Sequence, residues 1–242
     1  MESDDYFVAL RREGEAFARA CEGNLDAEVP SCPGWTVERL MSHLGRVHGW
    51  AAEAVGNGSG SAPAGFPPAP AEVSPAWYLG ELEALLATLA KADLLATRWT
   101  FSPGHHQAWF WLRRQALETA VHRWDAQAAT TTPPEPIEAG LAVEGIDELL
   151  GVFAPRAVQL VEPFDLGGTM HLHATDHAGE WVIGVEDSAL RVERTHASAT
   201  VAALGTASDL YLWLWKRTSG DTLTTFGDLA IVDTGRLLNW GK

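Results

Sequence analysis

The hydrophobic periodicity of this chain changes once, and that change limits what it can fold into more than any other feature. Up to about residue 154 apolar residues recur at helical spacing, and after about residue 160 they alternate. The expected architecture is α+β: an N-terminal up-and-down four-helix bundle followed by a small C-terminal α+β domain. Phe7, Leu10, Phe17 and Ala20 mark a first helix over about 4–21. The turn Ser31-Cys-Pro-Gly-Trp-Thr36 supplies Thr36 as N-cap of a second, running to about Val55. Residues 56–75, mostly Gly, Pro, Ser and Ala, form the longest loop. A third helix (Leu79, Leu82, Leu86, Leu89) spans about 75–92, a fourth about 107–128, and a fifth about 137–154, ahead of Pro155.

Beyond the switch, Met170, Leu172 and Ala174 face one side of a strand and His171 and His173 the other. Glu180–Val185 alternates again, Arg191–Arg194 and Thr200–Leu204 read as further short strands, and Ala207–Arg217 as a helix. The domains expected are 1–158 and 159–242, the second covering a cleft.

Composition narrows the function. Lys and Arg total 17 against 32 Asp and Glu, a net charge of −15, which is the wrong sign for attracting nucleic acid or an anionic membrane. No apolar run approaches the roughly 18 residues of a membrane span. The start, Met1-Glu-Ser-Asp-Asp, lacks a basic-then-apolar signal, so a cytoplasmic location is expected. Cys21 and Cys32 make neither a disulfide framework nor a zinc ribbon. Nothing dictates an oligomer, and a monomer is compatible with the sequence. Eleven tryptophans against three tyrosines hint at a heavily walled cavity, although core packing explains any single one.

On the fourth helix Trp111, Arg114, Glu118, His122 and Asp125 fall within roughly 80° of one another at 100° per residue. Phe110, Leu117, Val121 and Trp124 form an apolar stripe beside them. Glu118 and His122, at i and i+4, can reach one ion, yet a solvated charged face has the same pattern. On the second helix His43 shares the apolar face of Leu40, Leu44, Val47 and Ala51, with His48 at its margin. An inward histidine is commonly a satisfied core residue. In a bundle, however, the carboxylate–imidazole pair of a facing helix is its natural partner. Two imidazoles and one carboxylate suit zinc with an open position, and Fe(II) or Ni(II) as well. Asp125 is placed to orient a ligand imidazole.

Other groups admit simpler readings. Arg217, at i+7 from Leu210 beyond Trp213 and Leu214, suits either a substrate carboxylate or the negative end of its helix. His171 and His173, with His177 in the following turn, invite a second metal site, but a solvent-facing strand accounts for the first two more simply. His105 and His106 line a cleft rim or merely a loop, and Cys32 reads as packing.

Three stretches carry a resemblance: Pro33-Gly-Trp-Thr with Ser42-His-Leu-Gly-Arg-Val-His-Gly-Trp50, Arg113-Arg-Gln-Ala-Leu-Glu-Thr-Ala-Val-His-Arg-Trp-Asp125, and a C-terminal set. That set is Gly167-Gly-Thr-Met-His-Leu-His-Ala-Thr-Asp176, Gly205-Thr-Ala-Ser-Asp-Leu210 and Phe226-Gly-Asp228. In this order they resemble the mycothiol-dependent maleylpyruvate isomerase family of DinB-like metal-binding bundles. The resemblance implies a divalent metal, usually zinc, on His43, Glu118 and His122, and the thiol mycothiol as cosubstrate. It favours His43 over His48 and strengthens a role for Arg217. A metal-activated thiolate would attack a small electrophile, either isomerising it or remaining on it as S-transfer. Arg114 and Trp111 are read as contacts for the cosubstrate, Asp125 and Arg217 as catalytic groups. The alternatives are a metal-dependent hydrolase of amides or thiol conjugates and a non-catalytic metal or thiol-conjugate binder.

Overall fold

The computed structural model describes residues 1–58, 60–130, 133–158 and 165–227. Asp228 of the Phe226-Gly-Asp motif lies outside them. The chain forms two compact units, Met1–Glu135 and Pro136–Lys242.

The first unit holds α1 (Ser3–Cys21), α2 (Val37–Gly56), α3 (Pro75–Lys91) and α4 (Ala108–Ala128). Local chemistry sets their starts. Thr36 and Ser74 accept the Arg39 and Trp77 amides as N-caps, and Pro75 opens α3, where its missing N–H costs nothing. Phe17 and Cys21 of α1, Leu40, Met41 and Leu44 of α2 and Tyr78 of α3 pack into one core. Gly45 lets α2 approach α3, since a Cβ there would overlap the Trp77 ring. The unusual element is α4: sixteen of its 21 residues are buried, including Arg113, Arg114, His122, Arg123 and Asp125. Its charged stripe is therefore an interior surface and not a solvated face. Charges inside need partners. Arg123 Nε donates to Glu13 Oε2 of α1 at 2.7 Å, both nearly fully buried.

The second unit begins earlier than the periodicity suggests, at Pro136 instead of near residue 159. The reason is that α5 (Ala139–Glu148) packs on α7 (Ala207–Leu214). A Cβ on Gly145 would clash with the Tyr211 ring, so this glycine permits the close approach of the two helices. The fifth helix is also not uniform. It widens into a π turn at Leu149–Phe153 before the short α6 (Ala154–Val158), which contains Pro155. Proline lacks the amide that would continue the α ladder there.

The sheet has the order β3-β2-β1-β4-β5, from β1 (Met170–Ala174), β2 (Glu180–Glu186), β3 (Ala189–Glu193), β4 (Val201–Gly205) and β5 (Thr224–Gly227). Central β1 pairs antiparallel with β2 (Met170 opposite Ile183, His173 opposite Glu180) and parallel with β4 (Met170 opposite Val201). Asp187 and Ser188 turn β2 into β3 with φ of 52° and 61°, a two-residue left-handed turn of the type tight hairpins need. Leu172, Trp181, Ile183, Val201 and Ala203 are buried, giving the sheet one apolar face. β5 was not expected from the alternation.

One expected element is shorter than predicted, and the difference moves a site residue. α7 ends at Leu214, not at Arg217. Lys216 takes φ 60°, its amide donates to the Trp213 carbonyl, and the Arg217 amide donates to the Leu212 carbonyl at 2.8 Å. These two bonds form a Schellman cap, with lysine where glycine is usual. Arg217 therefore leaves the stripe of Leu210, Trp213 and Leu214. Its guanidinium donates to the Trp215 carbonyl and lies over the Trp215 ring, 5.8 Å from the centroid.

Candidate metal centre

Helical spacing brings three side chains of the first unit together. α2 carries His43, and α4 carries Glu118 and His122 one turn apart. Glu118 Oε1 lies 3.5 Å from His43 Nε2 and 3.3 Å from His122 Nε2. One potential ligand atom of each residue lies within 4.8 Å of the other two. The imidazoles stand nearly perpendicular, 86° apart, with centroids 5.3 Å apart. These separations are longer than ordinary N–H···O bonds. They match the edge of a tetrahedron built on metal–nitrogen bonds of about 2.0–2.1 Å, which is roughly 3.3–3.4 Å. Three such groups would leave a fourth position open on a tetrahedral ion, and His43 is the most exposed of the three.

The surroundings fix each group. His122 Nδ1 pairs with Asp125 Oδ2 at 2.8 Å, so the Nδ1 hydrogen serves the carboxylate and Nε2 is the atom that faces Glu118. Asp125 is itself fully buried, and its other oxygen accepts from the Ser31 hydroxyl at 2.5 Å. The Cys32 thiol lies 3.9 Å from Asp125 Oδ2. The turn before α2 thus holds the carboxylate that holds the imidazole. Glu118 is fixed from its other side, where the buried Arg114 guanidinium bonds Oε2. The edge of Trp35 packs on the His43 ring at 5.2 Å. Burial is the largest cause, and a proton on His122 and the guanidiniums of Arg46, Arg114 and Arg39 also disfavour a proton on His43, so its pKa is pushed down to about 3. Its ring is therefore neutral at pH 7, the form that ligates. The donor set, tautomer and spacing all fit a divalent metal.

His48 does not take part. It is fully buried, with Nδ1 2.8 Å from Gln115 Oε1 and Nε2 3.2 Å from the Tyr78 hydroxyl, so both ring nitrogens are engaged. Burial lowers its pKa to about 4 against the hydrogen bond to Gln115. Trp111, expected as a cosubstrate contact, has no exposed surface: its indole N–H donates to the Trp99 carbonyl, and it packs with Trp50, Trp99, Phe101 and Phe110. Trp111 is core, Trp50 and Trp99 are half-buried against it, and Trp35 touches the site. Arg114 grips Glu118, which accounts for its place on the stripe. His105 and His106 lie in an exposed loop.

Sequence reasoning missed Ser31, read only as part of a turn. Its contact with Asp125 spans 94 positions and has no periodic signature.

Comparison with known proteins follows the same division. The family model described as the mycothiol maleylpyruvate isomerase N-terminal domain matches residues 7–127, and the one described as the MDMPI C-terminal domain matches residues 140–234. The break between the two stretches encloses the structural division at Glu135 and Pro136. A crystal structure of the mycothiol-dependent maleylpyruvate isomerase superposes with a TM-score of 0.63 at 12% identity, covering 93% of each chain. A histidine-to-alanine mutant of that isomerase gives 0.62 at 11% identity with the same coverage. At these identities the likeness establishes the fold. No curated protein matches the chain. No described helix is long and apolar enough to cross a membrane.

Proposed function

The chain belongs to the mycothiol maleylpyruvate isomerase family, and from that premise we propose that it is a metal-dependent enzyme that uses mycothiol to isomerise a small electrophilic alkene. The observation that carries this reading is the convergence of His43 Nε2, His122 Nε2 and Glu118 Oε1 on one point, backed by Asp125 and Arg114.

A divalent ion held there, zinc first among the candidates, supplies the Lewis acidity that keeps a thiol as thiolate at neutral pH. The protein side chains position it. Asp125 keeps the proton of His122 on Nδ1, and Arg114 keeps one Glu118 oxygen turned away, leaving Oε1 toward the histidines. In the reaction the thiol sulfur adds to one alkene carbon, and the electron pair moves to the electron-withdrawing group. The former double bond rotates, and loss of the same sulfur restores the alkene in the other geometry. Thiol is regenerated, so atoms balance without a further reactant. Arg217 remains in the reading as an anion-binding group of the second unit.

The test is turnover of cis-alkene dicarboxylates and keto acids with and without mycothiol, with products resolved by NMR. The reading requires thiol-dependent cis–trans conversion without consumption of thiol. Product retaining sulfur would establish S-transfer instead, thiol-independent cleavage of an amide or thiol conjugate added to the panel would establish a hydrolase, and binding without turnover a carrier or sensor. Each of those outcomes overturns the isomerase reading. Arg217→Gln is expected to raise KM at least about tenfold with a smaller change in kcat, the pattern of lost substrate binding.

A further inference from the structure

The sheet of the second unit carries another convergence of ligand-type side chains. His171 and His173 project from the same face of β1, and Glu180 stands directly opposite His173 on β2. The β2–β3 pairing, in which Val182 faces Glu193, runs on toward the segment beyond β3 and brings His196 to the same place. Glu180 Oε2 lies 3.0 Å from His171 Nε2, 3.7 Å from His173 Nδ1 and 2.5 Å from His196 Nδ1. One ligand atom from each of the four residues lies within 4.8 Å of the others. His177 stands apart, exposed, with Nδ1 3.3 Å from the Ala178 carbonyl.

A solvent-facing strand does not account for His171. His171 is only 7% exposed, on the face of β1 opposite Leu172. Three imidazoles also aim a nitrogen at one carboxylate oxygen: those of His171 and His196 within hydrogen-bond distance, and that of His173 beyond it at 3.7 Å. The rings stand 56° to 90° apart with centroids 5.3 to 6.2 Å apart, so they are grouped edge-on around a common point and not stacked. A cation at that point would engage His173 together with the other two. Each imidazole then presents a lone pair and Glu180 supplies the fourth ligand. The carboxylate-to-nitrogen separations bracket the roughly 3.3 Å edge expected of a tetrahedral zinc site.

We propose that His171, His173, Glu180 and His196 form a second divalent transition-metal site of the zinc class. Four protein ligands close the tetrahedron, so the site is structural. It staples β1 and β2 to the segment that follows β3, which carries no other strand pairing at His196. The three histidines are spread over 26 positions, and His196 belongs to no regular element, so spacing alone does not reveal the set.

The experiment uses full-length chain with the first centre silenced, His43→Ala/His122→Ala. After equilibrium dialysis against zinc, this chain is expected to retain one equivalent and to melt at higher temperature with zinc than with chelator. Adding His173→Gln/His196→Gln, both partly or largely exposed, should weaken zinc binding by more than about 100-fold, because even groups that only orient ligands contribute 10–100-fold. Circular dichroism verifies that this variant is folded. No zinc on the silenced chain, or equal retention after both glutamine substitutions, overturns the proposal. Failure at the first centre is distinguishable: wild-type chain would then bind no more zinc than the His43→Ala/His122→Ala variant.

Discussion

Asp125 shows how much of the candidate centre depends on a residue that would never touch the metal. Its two oxygens hold His122 and Ser31, so it sets both the tautomer of a ligand and the position of the turn before α2. Asp125→Asn is expected to weaken metal binding about 10–100-fold while the chain stays folded, as read by competition with a chromophoric chelator. His48 makes a different prediction. Folding lowers its pKa from 6.5 to about 4, so the native state requires the neutral ring. The stability it protects is complete above about pH 6.5 and is lost as pH falls toward 4. His48→Asn should flatten that acid limb in urea melts by up to about 3 kcal/mol relative to wild type. An unchanged difference between pH 7 and pH 4.5 would contradict the assignment. The His43–Glu118–His122 set was legible because i, i+4 spacing and a shared helical face are local. The choice between His43 and His48 was not settled by spacing, since it depends on Gln115 and Tyr78, which belong to other helices.

At the scale of elements, α4 is the frame. A stripe of Arg114, Glu118, His122 and Asp125 in a sequence reads equally as a wet face or as an interior one, because the burial that decides between them comes from α1 and α2. In the fold that stripe is inside, and every charge on it is matched. The pair Glu13–Arg123 ties α1 to α4 in the same way. Glu13→Ala leaves the guanidinium buried against a gap, so a loss of about 3–5 kcal/mol in global stability is expected. Metal stoichiometry of the folded fraction should be unchanged. Loss of metal without loss of stability would place Glu13 in the centre and contradict its structural role. The end of α7 was illegible for a related reason. Periodicity carried the helix on to Arg217, but the Schellman cap uses Lys216 in a left-handed conformation, a position for which sequence normally signals glycine.

For the whole molecule, the change from helical to alternating periodicity identified two architectures correctly, while contact between α5 and α7 decided where one ends and the other begins. Among the described tryptophans, Trp111 belongs to the core and Trp35 packs on His43. The account ascribes thiol activation to the first unit alone. The most direct test is zinc content and thiol-dependent isomerisation measured together on full-length chain carrying His173→Gln/His196→Gln. That chain should hold one zinc and turn over with mycothiol. Adding Glu118→Gln/His122→Ala should remove the zinc and lower turnover by about 10³-fold or more, a loss of several kcal/mol of electrostatic stabilisation. Zinc and turnover both retained after those two substitutions would contradict it.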